Sequence, residues 1–418
     1  MDIRITPGTL SGELRAIPSK SDAHRKLILA ALGDCPTVLH LPKFSADIQA
    51  TADCLAALGA KIDRRGQLVA VSPIQSVPEN PLLDCGESGS TLRFLLPVAA
   101  ALCGSARFTG RGRLPDRPIG ELKSAMESHG VTFSAPKLPF TVSGKMTGGA
   151  FSLPGNVSSQ YITGLLLALP LLGEDSVLTL TTPLQSAAYV DITLRALEQF
   201  QIQVDAQDGC YRIPGRQCCS SPGILNVEGD WSNAAFFLTA GALGAAVTLT
   251  DLDGTSPQGD KAIVNALRTF GADVQEADSA VTVSPAPLTG CTVDISGIPD
   301  ALPILSVLAA CAAGTTRFIN AGRLRLKESD RLKTTAAMLT ALGGNVEERP
   351  DELLIHGGTP LVGGTVDGAN DHRIVMAAAI AAVRCAGSVT ILGAEAVNKS
   401  YPSFFDDYCA LGGIAHEL

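Results

Sequence analysis

The chain has 418 residues, of which 46% are hydrophobic and 17% are charged, and its formal net charge is -9. A chain of this length exceeds the size at which one hydrophobic core usually keeps growing, so we expect two domains. The composition is that of a well-packed globular protein and excludes an intrinsically disordered one. The negative net charge argues against a general nucleic-acid binder, because no broad basic field would displace phosphate counterions.

Cysteine and histidine usage predicts neither a disulfide framework nor a metal site. The 11 cysteines are scattered without a C-x-x-C pair, and Cys218 and Cys219 are adjacent, which is typical of reduced thiols in a cytosolic protein. No His or Cys spacing matches a metal site, and no nucleotide-binding glycine motif occurs, so we expect no metal and no cofactor. The first residues carry charges where a signal peptide would be apolar, and the longest apolar stretches are shorter than a membrane span. We therefore expect a cytoplasmic protein without a membrane partner.

A unit recurs six times along the chain. Each copy opens with polar residues, continues as an apolar helix and ends in glycine followed by β-branched residues. These helix-ending glycines lie 69 to 73 residues apart, at Gly33, Gly104, Gly173, Gly244, Gly314 and Gly387. A second marker ends a more polar helix at Gly59, Gly130, Gln201, Gly271, Gly343 and Gly412. Only Gln201 breaks the glycine pattern, and two markers of equal period predict six copies of one fold unit.

Each copy is predicted to fold as helix, strand, helix, strand, with glycine stopping the helices. The first helix is apolar almost all round, as in the "AAAIAAV" of the sixth copy, so we expect it to be buried. The second helix carries charges on one side and is expected to cover a sheet. Six units divide most naturally into two domains of three. A solenoid is the alternative, although solenoid repeats are shorter, about 20 to 50 residues.

Polar residues open the first helix of every copy. They are Ser19, Lys20 and Ser21; Ser88, Gly89 and Ser90; Ser158, Ser159 and Gln160; Asp230, Ser232 and Asn233; Asp300; and Asn370, Asp371, His372 and Arg373. Helix capping explains each serine or aspartate taken singly. If the three units of a domain surround a pseudo-threefold axis, their helix starts point the same way, and two facing domains bring six N-termini to one cleft.

The same places carry cations, which a helix N-terminus disfavours. They are Lys20, Arg25, Arg93 and Arg373, with Arg117, Arg331 and Lys399 in loops. Two like charges about 6 Å apart repel by roughly 3 kcal/mol at an effective dielectric constant of about 20. We expect anionic ligands to offset this repulsion, since helix N-termini also bind anions. For any one helix, the alternative is that its cations turn into solvent.

Ten motifs follow one another along nearly the whole chain. They are "PSKSDAHR", "GESGSTLRFL", "GRLPDRPIG", "NVSSQYITGLL", "SAAYVDIT", "GTSPQGD", "IPDALP", "LKESDR", "GANDHRIVMA" and "NKSYPSFFDD". Together they resemble the 5-enolpyruvylshikimate-3-phosphate synthase family of enolpyruvyl transferases. The resemblance implies an α/β fold, a two-domain inside-out α/β barrel in which each domain has three βαβαββ repeats around a pseudo-threefold axis. The implied domains are residues 19–227, and residues 1–18 with 228–418, and the active site lies in the cleft between them.

The resemblance implies a transferase of the shikimate pathway, which supplies aromatic amino acids. The enzyme would move the enolpyruvyl group of phosphoenolpyruvate to the 5-hydroxyl of shikimate 3-phosphate and release phosphate through a tetrahedral intermediate. Both substrates are polyanions, in agreement with a cationic cleft. The implied partners are these two small molecules, and we expect a monomer that uses no cofactor.

The resemblance also implies which residues bind each substrate. For shikimate 3-phosphate they are Lys20, Ser21, Arg25, Ser158, Ser159, Gln160, Ser186, Tyr189, Asp300 and Lys327. Arg323 is added because it stands where the family often has an asparagine that contacts the phosphate, and an arginine can bind that anion. For phosphoenolpyruvate they are Lys20, Gly89, Arg117, Gln160, Arg331, Arg373 and Lys399. Guanidinium groups suit two-pronged contacts with carboxylate and phosphate.

The reaction needs proton transfers at the attacking hydroxyl and at the methylene carbon. Asp300 is the candidate base for the hydroxyl, and Lys20 is expected at the reacting centre. Glu328 and Lys399 are the candidates for protonating the methylene carbon and removing that proton again. The alternative for Glu328 is a plain charged helix start with i,i+3 pairing.

Two other functions stay open at this point. The sister enzyme that acts on UDP-N-acetylglucosamine typically has a cysteine in the loop that reads "RGRLPDRPIG" here, and no cysteine lies between Cys103 and Cys210. A non-catalytic anion-binding domain of the same fold would not need Asp300, Glu328 and Lys399. One departure from the family pattern is Glu87, where many relatives have asparagine. Its carboxylate would repel an anionic ligand unless it turns outward or pairs with arginine.

Overall fold

The computed structural model describes all residues from Met1 to Leu418. They form two compact units. The continuous unit comprises Pro18–Val227, and the split unit combines Met1–Ile17 with Glu228–Leu418. No helix has both the length and the apolar character needed to cross a membrane.

The continuous unit contains three four-stranded sheets. In spatial order they are β14 (Ile224–Asn226), β3 (Thr37–His40), β5 (Leu68–Ser72) and β4 (Lys61–Arg65); β6 (Leu82–Asp84), β7 (Ser105–Thr109), β9 (Phe140–Ser143) and β8 (Thr132–Phe133); and β10 (Gly149–Leu153), β11 (Ser176–Leu180), β13 (Cys210–Ile213) and β12 (Asp205–Gln207). In each sheet the first two strands are parallel and the other neighbours are antiparallel.

The split unit repeats this plan three times. Its sheets are β2 (Gly12–Arg15), β15 (Val247–Thr250), β17 (Ala280–Ser284) and β16 (Asp273–Ala277); β18 (Thr292–Asp294), β19 (Thr315–Ile319), β21 (Leu353–His356) and β20 (Asn345–Glu348); and β22 (Gly364–Asp367), β23 (Val389–Leu392), β1 (Ile3–Thr6) and β24 (Ile414–Glu417). Again the first pair is parallel and the others are antiparallel. Six sheets of one topology match the six sequence copies.

The first helix of each copy is an inner helix, as its all-round apolar character predicts. The inner helices are α1 (Lys20–Ala31), α3 (Gly89–Leu102), α5 (Ser159–Ala168), α7 (Trp231–Leu243), α9 (Leu302–Cys311) and α11 (His372–Ala381). Every residue of α11 is buried, and so is every residue of α9 except Cys311. A fully buried leucine or phenylalanine stabilises a protein by about 1.5 to 3 kcal/mol, so these helices contribute strongly to the core of each unit.

The second helix of each copy is partly exposed. These outer helices are α2 (Ala46–Ala57), α4 (Gly120–Glu127), α6 (Ala188–Gln199), α8 (Ile263–Phe270), α10 (Arg331–Ala341) and α12 (Phe404–Ala410). In α8, the buried side chains of Ile263, Val264, Leu267 and Phe270 fall at helical spacing while Arg268 and Thr269 are exposed. That pattern agrees with a helix covering a sheet.

The two glycine markers behave differently. At the second marker all five glycines have positive φ, between 87° and 108°, and Gln201 has a φ of 59°, so it adopts the left-handed conformation without being glycine. At the first marker only Gly314 has positive φ. The prediction that glycine stops each inner helix is confirmed for α7, whose C-cap is Gly244, and is wrong for the other five, whose C-caps precede the marker glycine. Helices α5 and α11 end in the 3-10 turns Leu169–Leu171 and Ala382–Arg384, before their marker glycines are reached.

Candidate active site

Five of the six inner helices begin at a serine or aspartate cap. The caps are Ser19, Ser88, Ser158, Asp230 and Asp371, and each side-chain oxygen accepts a backbone N–H of the first turn. Helix α9 instead follows a 3-10 turn, Pro299–Ala301, that carries Asp300. Helix capping thus accounts for these short polar residues, as expected, and leaves the cations to be explained.

In the split unit, ionisable side chains surround Arg331. We call them the Arg331 cluster: Asp300, Lys327, Glu328, Arg331, Asp371 and Arg373. The Arg331 side chain is only 1% exposed. Its guanidinium donates to Asp300 Oδ1 at 2.6 Å and to Glu328 Oε2 at 2.6 Å. It also donates through Nε to Asp371 Oδ2 at 2.8 Å, so three carboxylates share one buried cation.

Asp300 connects Arg331 to two further cations. Its Oδ1 lies 3.4 Å from Lys327 Nζ, and its Oδ2 lies 3.0 Å from Arg373 Nη2. Burial by itself would raise the pKa of Asp300, but the positive charges of Arg373, Lys327 and Arg331 outweigh burial and hold that pKa well below its ordinary value. Asp300 is therefore ionised in this arrangement. A carboxylate with so low a pKa is also a weak base.

The Arg331 cluster is electrically balanced by its own residues. Three cations and three carboxylates contact one another, so their formal charges cancel. Burial opposes the charge of Arg331, yet Asp371, Glu328 and Asp300 together raise its pKa above the ordinary value. Repulsion between these cations therefore does not by itself require an anionic ligand, because neighbouring carboxylates already offset it.

Two more predicted residues lie beside this cluster. Lys399 ends the 3-10 turn Ala394–Lys399, and its Nζ donates to the Asn370 carbonyl at 2.6 Å, directly before helix α11. Arg323 lies in the 3-10 turn Gly322–Leu326 and is close enough for its charge to contribute to lowering the pKa of Lys327, although burial is the largest cause of that shift. Arg373 reaches beyond the cluster to Ser232 Oγ at 2.9 Å.

In the continuous unit, two guanidinium groups meet above Gly89. We call this group the Gly89 cluster: Gly89, Ser90, Arg93, Arg117 and Gln160. A Cβ atom at Gly89 would lie 2.6 Å from Nη1 of Arg117 and 2.6 Å from Nη1 of Arg93. Arg93 donates to Gln160 Oε1 at 2.7 Å, and Gln160 donates to Ser90 Oγ at 3.0 Å. Glycine is needed here because the two arginines use the space of its side chain.

The loop that carries Arg117 is held by the same arginine and by a tyrosine. The Pro118 carbonyl accepts from Arg93 Nη2 at 2.9 Å and from the Tyr161 hydroxyl at 2.6 Å. Glu87 lies against this arginine-rich loop, because a Cβ at Gly112 would be 2.5 Å from Glu87 Oε2. The Glu87 carboxylate is thus turned toward the loop rather than standing alone in an anion site.

Arg25 is a buried cation with neutral acceptors. Its side chain donates to Thr193 Oγ1 at 2.8 Å, to the Ser21 carbonyl at 2.5 Å and to the Tyr189 carbonyl at 2.7 Å. Burial is the main reason that the pKa of Arg25 falls to about 10. Arg25 thereby ties the start of α1 to the start of α6, where Ser186 adopts a positive φ of 56°.

Sequence reasoning missed the carboxylate partners of the cations. Asp47 pairs with Lys20, Nζ to Oδ2 at 2.9 Å, and was not among the predicted site residues. Asp371 and Arg93 were noted only as residues at helix starts. Most of the predicted residues fall into three groups: the Arg331 cluster with Lys399 and Arg323, the Gly89 cluster, and the Arg25 group of Ser21, Arg25 and Tyr189. Lys20, with its partner Asp47, lies outside these groups. Ser158 caps α5 immediately before Ser159 and Gln160.

The family model of EPSP synthase (3-phosphoshikimate 1-carboxyvinyltransferase) matches residues 5–408. The chain belongs to the EPSP synthase family. The 3-phosphoshikimate 1-carboxyvinyltransferase of Clostridium kluyveri is 42% identical, over 98% of this chain and 97% of that protein. The one of Clostridium novyi is also 42% identical, over 100% of this chain and 98% of that protein. The resemblance noted from the ten motifs is thereby confirmed.

Solved structures of EPSP synthase support the fold. EPSP synthase from Acinetobacter baumannii superposes with a TM-score of 0.84 over 100% of both chains at 24% sequence identity. The enolpyruvyl transferase NikO from Streptomyces tendae superposes with a TM-score of 0.82 at 19% identity, over 99% of this chain and 98% of that chain. The predicted α/β fold class is confirmed, and the EPSP synthase family is a family of transferases.

Proposed function

We propose that this chain transfers the enolpyruvyl group of phosphoenolpyruvate to the 5-hydroxyl of shikimate 3-phosphate and releases phosphate, a step of aromatic amino acid biosynthesis. Membership of the EPSP synthase family over residues 5–408 supports the reaction. The observation that carries the site assignment is the Arg331 cluster, in which Asp300 and Glu328 each contact Arg331 at 2.6 Å. A proton-transfer pair and an anion-binding arginine are thus held in one place.

Arg331 and Arg373 would bind the anionic groups of phosphoenolpyruvate, together with Lys399. In the ligand-free arrangement the carboxylates of Asp300 and Glu328 take the place that a substrate carboxylate or phosphate would take on these guanidinium groups. When phosphoenolpyruvate binds, its carboxylate or phosphate would take over hydrogen bonds that Arg331 and Arg373 make to Asp300 and Glu328. The pKa of Asp300 would then rise toward its ordinary value, because the charges that lower it are withdrawn. Substrate binding would thus make Asp300 a stronger base.

Residues of the continuous unit would complete the binding of both substrates. Arg117, Gly89 and Gln160 would hold phosphoenolpyruvate, since two guanidinium groups already converge on Gly89. Lys20 would contact both substrates at the reacting centre. For shikimate 3-phosphate, the proposed contacts are Ser21, Arg25, Ser158, Ser159, Gln160, Ser186, Tyr189, Asp300, Arg323 and Lys327.

The proposed chemistry is addition followed by elimination. The 5-hydroxyl oxygen bonds to C2 of phosphoenolpyruvate while its proton passes to Asp300, and the methylene carbon takes a proton from the Lys399 ammonium group or from Glu328 after that carboxylate has itself been protonated. In the tetrahedral intermediate that results, the same group removes a proton from the new methyl group. The carbon–oxygen bond to phosphate then breaks, and the C=C bond forms again. Phosphate leaves, and the enolpyruvyl ether remains.

We also propose that the enzyme acts as a monomer in the cytoplasm without a nucleic-acid partner. All 11 cysteines are free, which suits a reducing compartment. The net charge of -9 does not favour binding to polyanionic nucleic acid. The implied domains, residues 19–227 and residues 1–18 with 228–418, stay part of this proposal.

A two-acceptor assay tests the function. Purified protein is mixed with phosphoenolpyruvate and either shikimate 3-phosphate or UDP-N-acetylglucosamine, and phosphate release is followed. We expect release with shikimate 3-phosphate alone. Release with the UDP-sugar alone would assign the chain to the sister activity. Absence of phosphate release with both acceptors would favour a non-catalytic anion-binding domain.

A further inference from the structure

The segment 321–330 carries Lys327 and Glu328, yet it has little regular structure to support them. It contains one 3-10 turn, Gly322–Leu326, and then bends into helix α10 at Arg331. A side chain that exchanges protons must be placed to within a fraction of an ångström, because a misplacement of about 1 Å can cost about 100-fold in rate. Something outside the segment must therefore hold it.

Arg325 makes this attachment with all three of its guanidinium nitrogens. Nε donates to the Pro350 carbonyl at 3.1 Å, and Nη2 donates to the Arg349 carbonyl at 2.8 Å. Nη1 contacts Glu348 Oε1 at 2.6 Å and the two carboxylate oxygens of Asp330 at 3.0 and 3.1 Å. The same side chain thus joins the hairpin after β20 to the start of helix α10.

The ion pair between Arg325 and Asp330 closes a short loop. Inside it lie Leu326, Lys327, Glu328 and Ser329. Asp330 is also the N-cap of α10, where it accepts from the Lys333 backbone N–H at 3.2 Å. On the opposite side, Ser329 Oγ donates to Asp371 Oδ2 at 2.8 Å. The loop is therefore attached to the hairpin on one side and to helix α11 on the other.

We infer that Arg325 is a positioning residue for the reaction, which places Glu328 and Lys327 without touching a substrate; this inference rests on the function proposed above. With the loop closed, Lys327 Nζ lies 3.4 Å from Asp300 and Glu328 lies 2.6 Å from Arg331. Arginine is needed because its planar fork presents five donors in fixed directions, whereas lysine offers a single charged nitrogen. Arg331 is held separately by Asp371 and Asp300, so loss of Arg325 should disturb Glu328 more than Arg331.

The test compares Arg325→Lys and Arg325→Met with the matched control Arg317→Met. Arg317 pairs with Glu352 in the sheet that carries the same hairpin but does not contact the loop. The readouts are kcat, KM for each substrate and the thermal unfolding midpoint. We expect kcat to fall about 10-fold in Arg325→Lys and about 100-fold in Arg325→Met. KM for phosphoenolpyruvate should change less than about threefold in both variants, because Arg331 keeps its own partners, and Arg317→Met should match the wild type.

A second variant separates positioning from folding. Asparagine at position 330 is still a good helix cap, but Asp330→Asn removes the negative charge of the ion pair with Arg325. We therefore expect a partial loss of kcat with little change in the unfolding midpoint. If Arg325→Met does not fold, Asp330→Asn and Arg325→Lys still test whether Arg325 positions Glu328 and Lys327. Wild-type kcat in both would overturn the inference, and so would equal losses of kcat in Arg325→Met and Arg317→Met. If the wild-type protein releases no phosphate from phosphoenolpyruvate in the presence of shikimate 3-phosphate, the proposed function itself would be overturned.

Discussion

Lys20 at the start of α1 donates through Nζ to Asp47 Oδ2 of α2 at 2.9 Å. Both side chains are largely buried, with 16% and 12% exposure, so Asp47 holds Lys20 in a defined orientation before any substrate arrives. We expect Lys20→Met to raise KM for phosphoenolpyruvate at least about tenfold, because a buried charge that would contact the substrate is lost. Steady-state kinetics with each substrate varied in turn measures this effect. Asp47→Asn keeps an oxygen acceptor for Lys20 and should raise KM less; equal effects of the two changes would contradict this role.

Gly89→Ala should weaken phosphoenolpyruvate binding without destabilising the fold. The added methyl group would meet the tips of Arg117 and Arg93 at 2.6 Å, and because these are the far ends of long side chains they can shift without moving the backbone. They would then no longer converge on the substrate. We expect KM for phosphoenolpyruvate to rise about tenfold or more, and the unfolding midpoint to stay within about 2 °C of the wild type. Gly104→Ala is the matched control, since no atom lies within 4 Å of a Cβ at that position. A large fall in the Gly89→Ala midpoint would mean that packing and not binding had failed.

Glu328→Gln should lower turnover while leaving substrate affinity nearly intact. Glutamine can still accept the hydrogen bond from Arg331 Nη2 that Glu328 accepts at 2.6 Å, but it cannot exchange a proton. General acid–base catalysis contributes about 100- to 10,000-fold, so we expect kcat to fall within that range. Pre-steady-state and steady-state phosphate release measure it, with Glu347→Gln on β20 as the control. Normal turnover in Glu328→Gln would leave Lys399 as the remaining candidate for the methylene proton.

His24 should make folding stability depend on pH below about pH 6.5. Its Nδ1 lies 2.7 Å from Thr51 Oγ1, and burial, aided by the charges of Lys20 and Arg25, lowers the pKa of His24 well below 6.5. The unfolded chain binds this proton below about pH 6.5 while the folded chain does not, so stability present at higher pH is lost as pH falls. The expected slope is up to about 1.4 kcal/mol per pH unit between pH 6.5 and 5. Denaturant titrations of wild type and His24→Asn should differ in this slope, and His416→Asn should retain it. Identical slopes in wild type and His24→Asn would exclude His24 as the source.

Gln201→Gly should stabilise the protein modestly. Gln201 has a φ of 59°, a conformation that costs a non-glycine residue about 1 to 2 kcal/mol. Glycine removes that strain but adds unfolded-state freedom of about 0.5 to 1 kcal/mol, so the expected net gain is about 0.5 kcal/mol. Chemical denaturation measures the gain. Gln201→Ala keeps the strain and should show no gain, and a gain of equal size in that variant would point to the side chain rather than the backbone.

The repeats and the alternation of helix and strand were predictable because they rest on local chemistry, whereas the two-domain barrel was implied by the family resemblance. A glycine every 69 to 73 residues and an all-round apolar helix leave direct marks in the sequence. Gln201, the one non-glycine residue at the second marker, also has a positive φ, as the five glycines at the equivalent positions do. The serine and aspartate caps were predictable for the same reason, because a cap acts within three residues of itself.

The ion-pair partners were not predictable because the fold brings them together from distant positions. Asp371 and Arg331 are 40 residues apart, and Arg373 and Ser232 are 141 residues apart. A sequence shows that cations gather at helix starts but not which carboxylates meet them. The estimate of repulsion therefore omitted Asp47, Asp371 and the role of Asp300 as an acceptor for three cations. The hydrogen bond from Arg325 to the Pro350 carbonyl could not be predicted either, because every residue has a backbone carbonyl and the sequence does not show which one accepts.

The position of strand β1 between β23 and β24 sets an order of events during synthesis. The continuous unit has all its residues once Val227 has left the ribosome, so it can fold while the rest of the chain is still being made. The split unit cannot finish its last sheet until Ile414–Glu417 emerge, and until then the first strand of the nascent chain lacks one of its two neighbours. A chain released a few codons early would leave β1, with its buried residues Ile3 and Ile5, at the sheet edge in place of the mostly exposed β24, and apolar strand edges promote aggregation.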